Sequence, residues 1–151
     1  MSDFKRILVP CDGSEVSTRA PVSALQIARE GGGRVRVLHV LDQVDYLAGG
    51  YEYAGAAVLE ELQRQSRKIL EDAAAVCQSA GVPYDTLLVD GPGSRLGDKV
   101  ADQALAWDAD LVVVGTHGRK GLSRAMLGSG AEQIVRFAPV PVLVMREKAR
   151  R

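Results

Sequence analysis

Residues 110–136, DLVVVGTHGRKGLSRAMLGSGAEQIVR, restrict the possible fold more than any other part of the chain. An apolar run, Leu111 to Val114, leads to glycines at 115 and 118. Nine residues follow, Arg119 to Leu127, and then Gly128-Ser129-Gly130 opens a segment with apolar residues at Ala131, Ile134, Val135 and Phe137. An unbroken β-branched run suits a strand buried on both faces, as in a parallel sheet. Glycine permits unusual backbone angles and lets a ligand approach the main chain closely. The first turn of a helix leaves about four N–H groups unpaired and carries partial positive charge, so it attracts anions. Arg119, Lys120 and Arg124 add positive charge, and no acid lies among them. Strand, glycine-rich loop and helix together favour a polyphosphate on this loop. A local reading competes with it, because Ser129-Gly130-Ala131-Glu132 also fits a capping box that needs no ligand. The loop is neither a G-x-x-x-x-G-K-[ST] phosphate loop nor a G-x-G-x-x-G dinucleotide loop after the first strand.

The rest of the chain reads as alternating strands and helices. Ile7 to Pro10 forms a first buried strand, with Pro10 placed where a ladder ends because it has no N–H. Cys11-Asp12-Gly13-Ser14 is the turn that follows. A helix is expected from Ser17-Thr18 to about Glu30, with Pro21 in its first turn, an apolar side of Val22, Leu25, Ala28 and Ile27, and a stop at Gly31-Gly32-Gly33. Val35 to Leu41 is the second strand; His39 within it reads as a core or strand-edge histidine, with no acid or nucleophile beside it. Asp42 to Ala57 is the least periodic stretch and carries Tyr46, Tyr51 and Tyr53. A loop of that length is expected to cover a ligand, carry a partner surface, or simply connect.

Val58 to Ser79 is a strong helix with a stripe of Leu59, Leu62, Ser66, Ile69, Ala73, Val76 and Cys77. Tyr84 to Val89 is the third strand, and Ser94 is the expected N-cap of a helix reaching Trp107. Val142 to Met145 is the last strand, and residues 146–151 form a charged tail expected to be flexible. Alternation of this kind means a single α/β domain over residues 1–151, with a parallel sheet and helices on both faces.

Composition narrows the function classes. The 151 residues carry 19 basic and 19 acidic side chains, so no general attraction to nucleic acid or anionic membrane is expected. No apolar run is long enough to span a bilayer, and Met1 to Arg6 lacks the apolar core of a secretion signal, so a cytoplasmic protein is expected. Cys11 and Cys77 are too few for a disulfide framework, and with His39 and His117 they make no metal-ligand spacing.

The spacing G-x2-G-x9-G-[ST], at Gly115, Gly118, Gly128 and Ser129, resembles the ATP-binding signature of the universal stress protein family. So do the opening Ile7-Leu8-Val9-Pro10-Cys11-Asp12-Gly13-Ser14, the Val37-Leu38-His39-Val40 segment and the ending Pro139-Val140-Pro141-Val142-Leu143-Val144. The likeness spans nearly the whole chain. It implies an open five-stranded sheet in the order 3-2-1-4-5, a Rossmann-like arrangement. Strand order then reverses between the first and fourth strands, and a ligand is expected beyond their carboxyl ends.

On that resemblance Asp12 holds ribose, although a local turn cap is the simpler role for its carboxylate. Val40 meets adenine through its main chain. Pro10, Cys11 and Thr116 flank the nucleotide, and Gly115 and Gly118 give its phosphates close approach. Gly128, Ser129 and Gly130 supply N–H groups and a hydroxyl to the phosphates. His117, Arg119 and Lys120 either line the loop or are solvated. The expected ligand is ATP, or ADP or AMP, with Mg²⁺ held mainly through phosphate oxygens and water. A homodimer through Val142 to Met145 is expected because an apolar edge strand needs cover, together with an unidentified regulatory protein partner.

Three functions remain open at this level. The first is a regulatory ATP-binding stress protein with no or slow hydrolysis, for which the absence of Asp and Glu between Gly115 and Gly130 speaks. The second is a true ATPase or nucleotidyl transferase. The third is an interaction module whose glycine loop is structural.

Overall fold

The computed structural model describes residues 4–12, 19–41, 55–90, 95–116 and 128–146. In chain order these form β1 (Arg6–Pro10), α1 (Arg19–Gly31), β2 (Arg34–Leu41), α2 (Gly55–Ala80), β3 (Tyr84–Asp90), α3 (Leu96–Ala106), β4 (Leu111–Gly115), α4 (Ser129–Phe137) and β5 (Val142–Met145). All the strands are parallel, in the order β3-β2-β1-β4-β5. The alternation and the strand order are those expected.

The apolar runs form strands because both faces of the sheet are covered. Ile7 and Val9 of β1 and Leu111 and Val113 of β4 pack with Ala24, Leu25 and Ala28 of α1 and with Leu70, Ala73 and Cys77 of α2. Leu8, Val112 and Val114 turn the other way, onto Val100, Ala104 and Trp107 of the α3 end and Ala131 and Ile134 of α4. Side chains alternate along a strand, so consecutive apolar residues feed two separate cores.

Helix ends follow from local chemistry. Gly32, at φ 67°, occupies the left-handed position after α1, and the Gly33 N–H donates to the Ala28 carbonyl at 2.7 Å. A side chain at Gly33 would meet the Phe4 and Lys5 carbonyls at 2.9 Å, so the helix can dock against the start of β1 only without one. After α3 the left-handed residue is Asp108, at φ 58°, and the Ala109 N–H closes the turn on the Ala104 carbonyl at 2.8 Å. Asp110 then pins β4 to β1. Its carboxylate accepts from the main-chain N–H groups of Lys5 and Arg6, both at 2.9 Å, and its own N–H donates to the Arg6 carbonyl at 2.8 Å.

Several local expectations are corrected. Val22, Val76 and Val135 are exposed, at 55%, 37% and 44%. The buried seam of α1 runs through Ala20, Pro21, Ala24, Leu25 and Ala28, which leaves Val22 well round the helix. That of α2 runs through Ser66, Leu70, Ala73 and Cys77, so Leu70 rather than Val76 faces the sheet. The capping box is not formed. Gly128, not a serine, is the N-cap of α4, with no side-chain cap bond, and Ser129 is already helical. Likewise α3 starts after Arg95 with no side-chain cap bond; Ser94 lies outside the described residues. Helix α2 begins at Gly55, earlier than expected, and most of the Asp42 to Ala57 stretch and residues 147–151 lie outside the described residues.

Candidate nucleotide-binding crevice

The sheet parts between β1 and β4. Their register has two rungs, Ile7↔Leu111 and Leu8↔Val112, both at the start of the strands. On the other side β1 stays paired with β2 as far as Pro10↔Leu38. Cys11 turns its N–H to the Leu38 carbonyl at 2.8 Å. Neighbouring residues of a strand face opposite ways, so the Pro10 nitrogen faces β4. It has no hydrogen to offer there, and a proline at that point favours the end of the ladder. Meanwhile β4 stays with β5 to its end, through Gly115↔Met145 and a Thr116 N–H to Met145 carbonyl bond of 2.9 Å. Thus, beyond Leu8↔Val112, β1 is held by β2 and β4 by β5, and the two carboxyl ends are not paired with each other.

One wall is the run Pro10, Cys11 and Asp12, and all three are partly exposed. The other is built by β4 and α4. Thr116 is 2% exposed, and its carbonyl accepts the Gly128 N–H at 2.7 Å. That bond seats the start of α4 directly beyond the end of β4. The first bond of the helix ladder is Glu132 N–H to Gly128 carbonyl, at 2.9 Å, so the amides of Ser129, Gly130 and Ala131 precede it. The Gly128 N–H is engaged by Thr116, which leaves Ser129 and Gly130 as the amides of the expected glycine triplet. Ser129 stands inside α4, one residue past the N-cap, so its hydroxyl does not serve as the N-cap group. The Thr116 hydroxyl is buried and has no hydrogen-bond partner among the described residues.

Helix α4 reaches this place by packing closely on α3. A side chain at Gly97 would lie 2.8 Å from the Gln133 Cβ and carbonyl oxygen, and one at Gly130 would lie 2.9 Å from Leu96 Cδ2. Gly130 therefore has a packing reason to be glycine, whatever its amide does.

Of the expected site residues, Pro10, Cys11, Asp12, Gly115, Thr116, Gly128, Ser129 and Gly130 come to this end of the sheet. His117, Gly118, Arg119 and Lys120 lie outside the described residues. Val40 lies across β1, one residue before the end of β2, opposite Val89 of β3. The sequence reading left one feature unforeseen. The buried His39 ring has its Nδ1 2.7 Å from the Cys11 carbonyl oxygen, within the wall that carries Asp12. Only its place one residue before Val40 marked it in the sequence.

The residues gathered at this end of the sheet are a carboxylate, Asp12, after β1 and the helix-start amides of Ser129 and Gly130 after β4. No three His, Cys, Asp or Glu side chains gather among the described residues. No helix among the described residues is long and apolar enough to cross a membrane.

Comparison with known proteins agrees with the fold. The sequence pattern of the universal stress protein family matches residues 3–146. A universal stress protein of Thermus aquaticus is 36% identical over 145 residues, covering 95% of this chain and 99% of that protein. Among solved structures, the fold is similar to a universal stress protein of Archaeoglobus fulgidus in complex with dAMP, with a TM-score of 0.70 at 22% identity over 95% of this chain and 98% of that one. It is also similar to an Arabidopsis thaliana protein of the same family with AMP bound, with a TM-score of 0.64 at 22% identity over 96% and 93%.

Proposed function

We propose, from the premise that this chain belongs to the universal stress protein family, that it is a cytoplasmic regulatory protein of stress physiology that binds ATP, ADP or AMP and hydrolyses it slowly or not at all. The observation that carries this reading is the end of the β1–β4 pairing at Leu8↔Val112, beyond which the Thr116–Gly128 bond holds the start of α4 at the end of β4. Relatives of the same fold solved with AMP and with dAMP support the adenine nucleotide class.

In this reading Asp12 grips the ribose hydroxyls and Val40 frames adenine through its main chain. Gly115 and Gly118 clear space for the phosphates. Ser129 and Gly130 offer amides, and Ser129 its hydroxyl, to the outer phosphates. His117, Arg119 and Lys120 neutralise phosphate charge along the loop. Mg²⁺ rides on phosphate oxygens with water retained. Slow hydrolysis follows from residues 115–130, which hold no Asp or Glu to position a water. Among the described residues no strand lies beside the outer edge of β5, and Leu143 is 36% exposed there. Pairing of Val142 to Met145 across a two-fold axis would cover that edge and give a homodimer. An unidentified regulatory protein would read the nucleotide state.

Purification followed by denaturation tests the reading. Released adenine nucleotide, with turnover in Mg²⁺ well below about 1 s⁻¹, is the expected result. Rapid turnover would make the protein an enzyme. Absence of both retained and added nucleotide would leave an interaction module. Sedimentation as a monomer at micromolar concentration would remove the dimer.

A further inference from the structure

His39 belongs to neither wall by sequence, yet it acts on both Cys11 and the strand end beside it. Its ring is buried at 7% exposure, and Nδ1 lies 2.7 Å from the Cys11 carbonyl oxygen. A carbonyl oxygen only accepts, so Nδ1 carries the hydrogen and donates. This is a specific assignment of the ring that solution measurement can contradict.

The pairing of β1 with β2 ends beside that bond. The register ends at Pro10↔Leu38, with the Cys11 N–H on the Leu38 carbonyl. In a parallel ladder the main-chain groups of alternate residues face the same neighbour. Leu38 faces β1, His39 faces β3, and Val40 faces β1 again. Were the ladder to run one rung further, the Val40 N–H would donate to the Cys11 carbonyl. That carbonyl is the acceptor the His39 ring takes. That rung is not formed among the described residues: the carbonyl accepts from the His39 ring, and the main-chain groups of Val40 lie on the β1 side of β2, past the last β1–β2 pair.

We infer that His39 is a positioning residue for base recognition: by holding the Cys11 carbonyl it stops the β1–β2 ladder short and presents the main-chain N–H and C=O of Val40 to the edge of adenine. The inference rests on the crevice being an adenine nucleotide site. Adenine offers an acceptor, N1, beside a donor, its 6-amino group, and a strand N–H and C=O on one side complement that pair. Guanine offers the reverse order. With the sugar fixed by Asp12, the same pair of groups discriminates between the two bases. The same bond holds the wall that carries Asp12, so base and sugar contacts share one anchor.

The test measures binding of ATP, GTP and inorganic tripolyphosphate by calorimetry to the full chain and to His39→Leu and His39→Asn. His39→Leu is expected to weaken ATP about tenfold, the worth of roughly one hydrogen bond, and to bring the ATP to GTP ratio toward unity. Tripolyphosphate affinity should stay within about twofold, since the phosphate wall is untouched. His39→Asn keeps an N–H donor at the reach of Nδ1 and should restore most of the discrimination. A second measurement needs no variant: nitrogen-15 NMR of the wild-type ring at about pH 8, above the ordinary histidine range, should show hydrogen on Nδ1. A bare Nδ1, or a folded His39→Leu protein that still prefers ATP as the wild type does, overturns the role of His39 while leaving the crevice assigned. A wild type that binds no adenine nucleotide overturns both. If His39→Leu does not fold, the ring tautomer and His39→Asn decide the matter alone.

Discussion

The main-chain N–H of Gly128 donates to the carbonyl of Thr116 across 2.7 Å, joining the end of β4 to the N-cap of α4. The strand end and the helix start thus meet although the two residues stand twelve positions apart in the chain. Gly128 has φ −61° and ψ 152°, angles open to any residue. Gly128→Ala should thus cost no more than about 1 kcal/mol of stability, chiefly as a poorer N-cap. Its added methyl would stand beside the proposed phosphates, and ATP affinity should fall at least about tenfold. Calorimetry with wild-type affinity would remove Gly128 from the site.

Gly97 and Gly130 make a paired test of how α4 is placed. Alanine at Gly97 runs into the backbone of Gln133 at 2.8 Å, which cannot move without moving the helix. The expected loss is about 1–3 kcal/mol, in spite of the better helix propensity of alanine. Alanine at Gly130 meets only a Leu96 methyl, which can turn aside. Urea unfolding should rank Gly97→Ala clearly below Gly130→Ala; equal midpoints would show that the two helices have room to part.

Trp107, the one tryptophan of the chain, reports on the opposite end of the sheet. The Arg36 guanidinium lies 4.7 Å from its ring centroid and is held by two bonds to the Asp85 carboxylate, at 2.7 and 2.8 Å. Arg6 lies over the same ring at 5.6 Å. Removing Arg36 takes away the cation and its apolar stem, at a cost of about 1–2 kcal/mol, and wets the indole. Arg36→Ala should shift tryptophan emission to the red. An unchanged spectrum would mean that the ring is shielded by other groups.

Burial pushes the Cys77 thiol above the ordinary thiol range, the thiol being fully buried between α2 and the sheet. A raised value in the folded state favours the neutral thiol. The linked stability is therefore complete below the unfolded thiol value of about 8.5 and is lost as pH rises through the folded one. At about pH 8 a thiol reagent should modify the partly exposed Cys11 and reach Cys77 only as the protein unfolds. Cys11→Ser isolates Cys77; fast labelling of that variant would contradict its burial.

Much of this molecule was legible in advance. Leu111 to Val114 suited a strand covered on both faces and Gly31-Gly32-Gly33 a helix stop, and both are found there. Gly115 and Gly128 marked the loop that returns to α4. The misjudged positions share one cause. Val22, Val76 and Val135 are apolar at plausible helical spacing, and periodicity does not say which of two neighbouring seams meets the sheet. Ser129 matched a capping pattern, yet the helix began one residue earlier in register because the Gly128 N–H found the Thr116 carbonyl.

Local sequence determined where strands and helices form, because burial on two faces and glycine at helix ends are properties of a few neighbouring residues. Tertiary structure alone decided where the sheet opens, which amides stay unpaired there, and that a histidine on β2 takes a carbonyl belonging to the end of β1. Those outcomes depend on register between segments far apart in the chain, which no local pattern encodes, since a shift of one residue would exchange every partner.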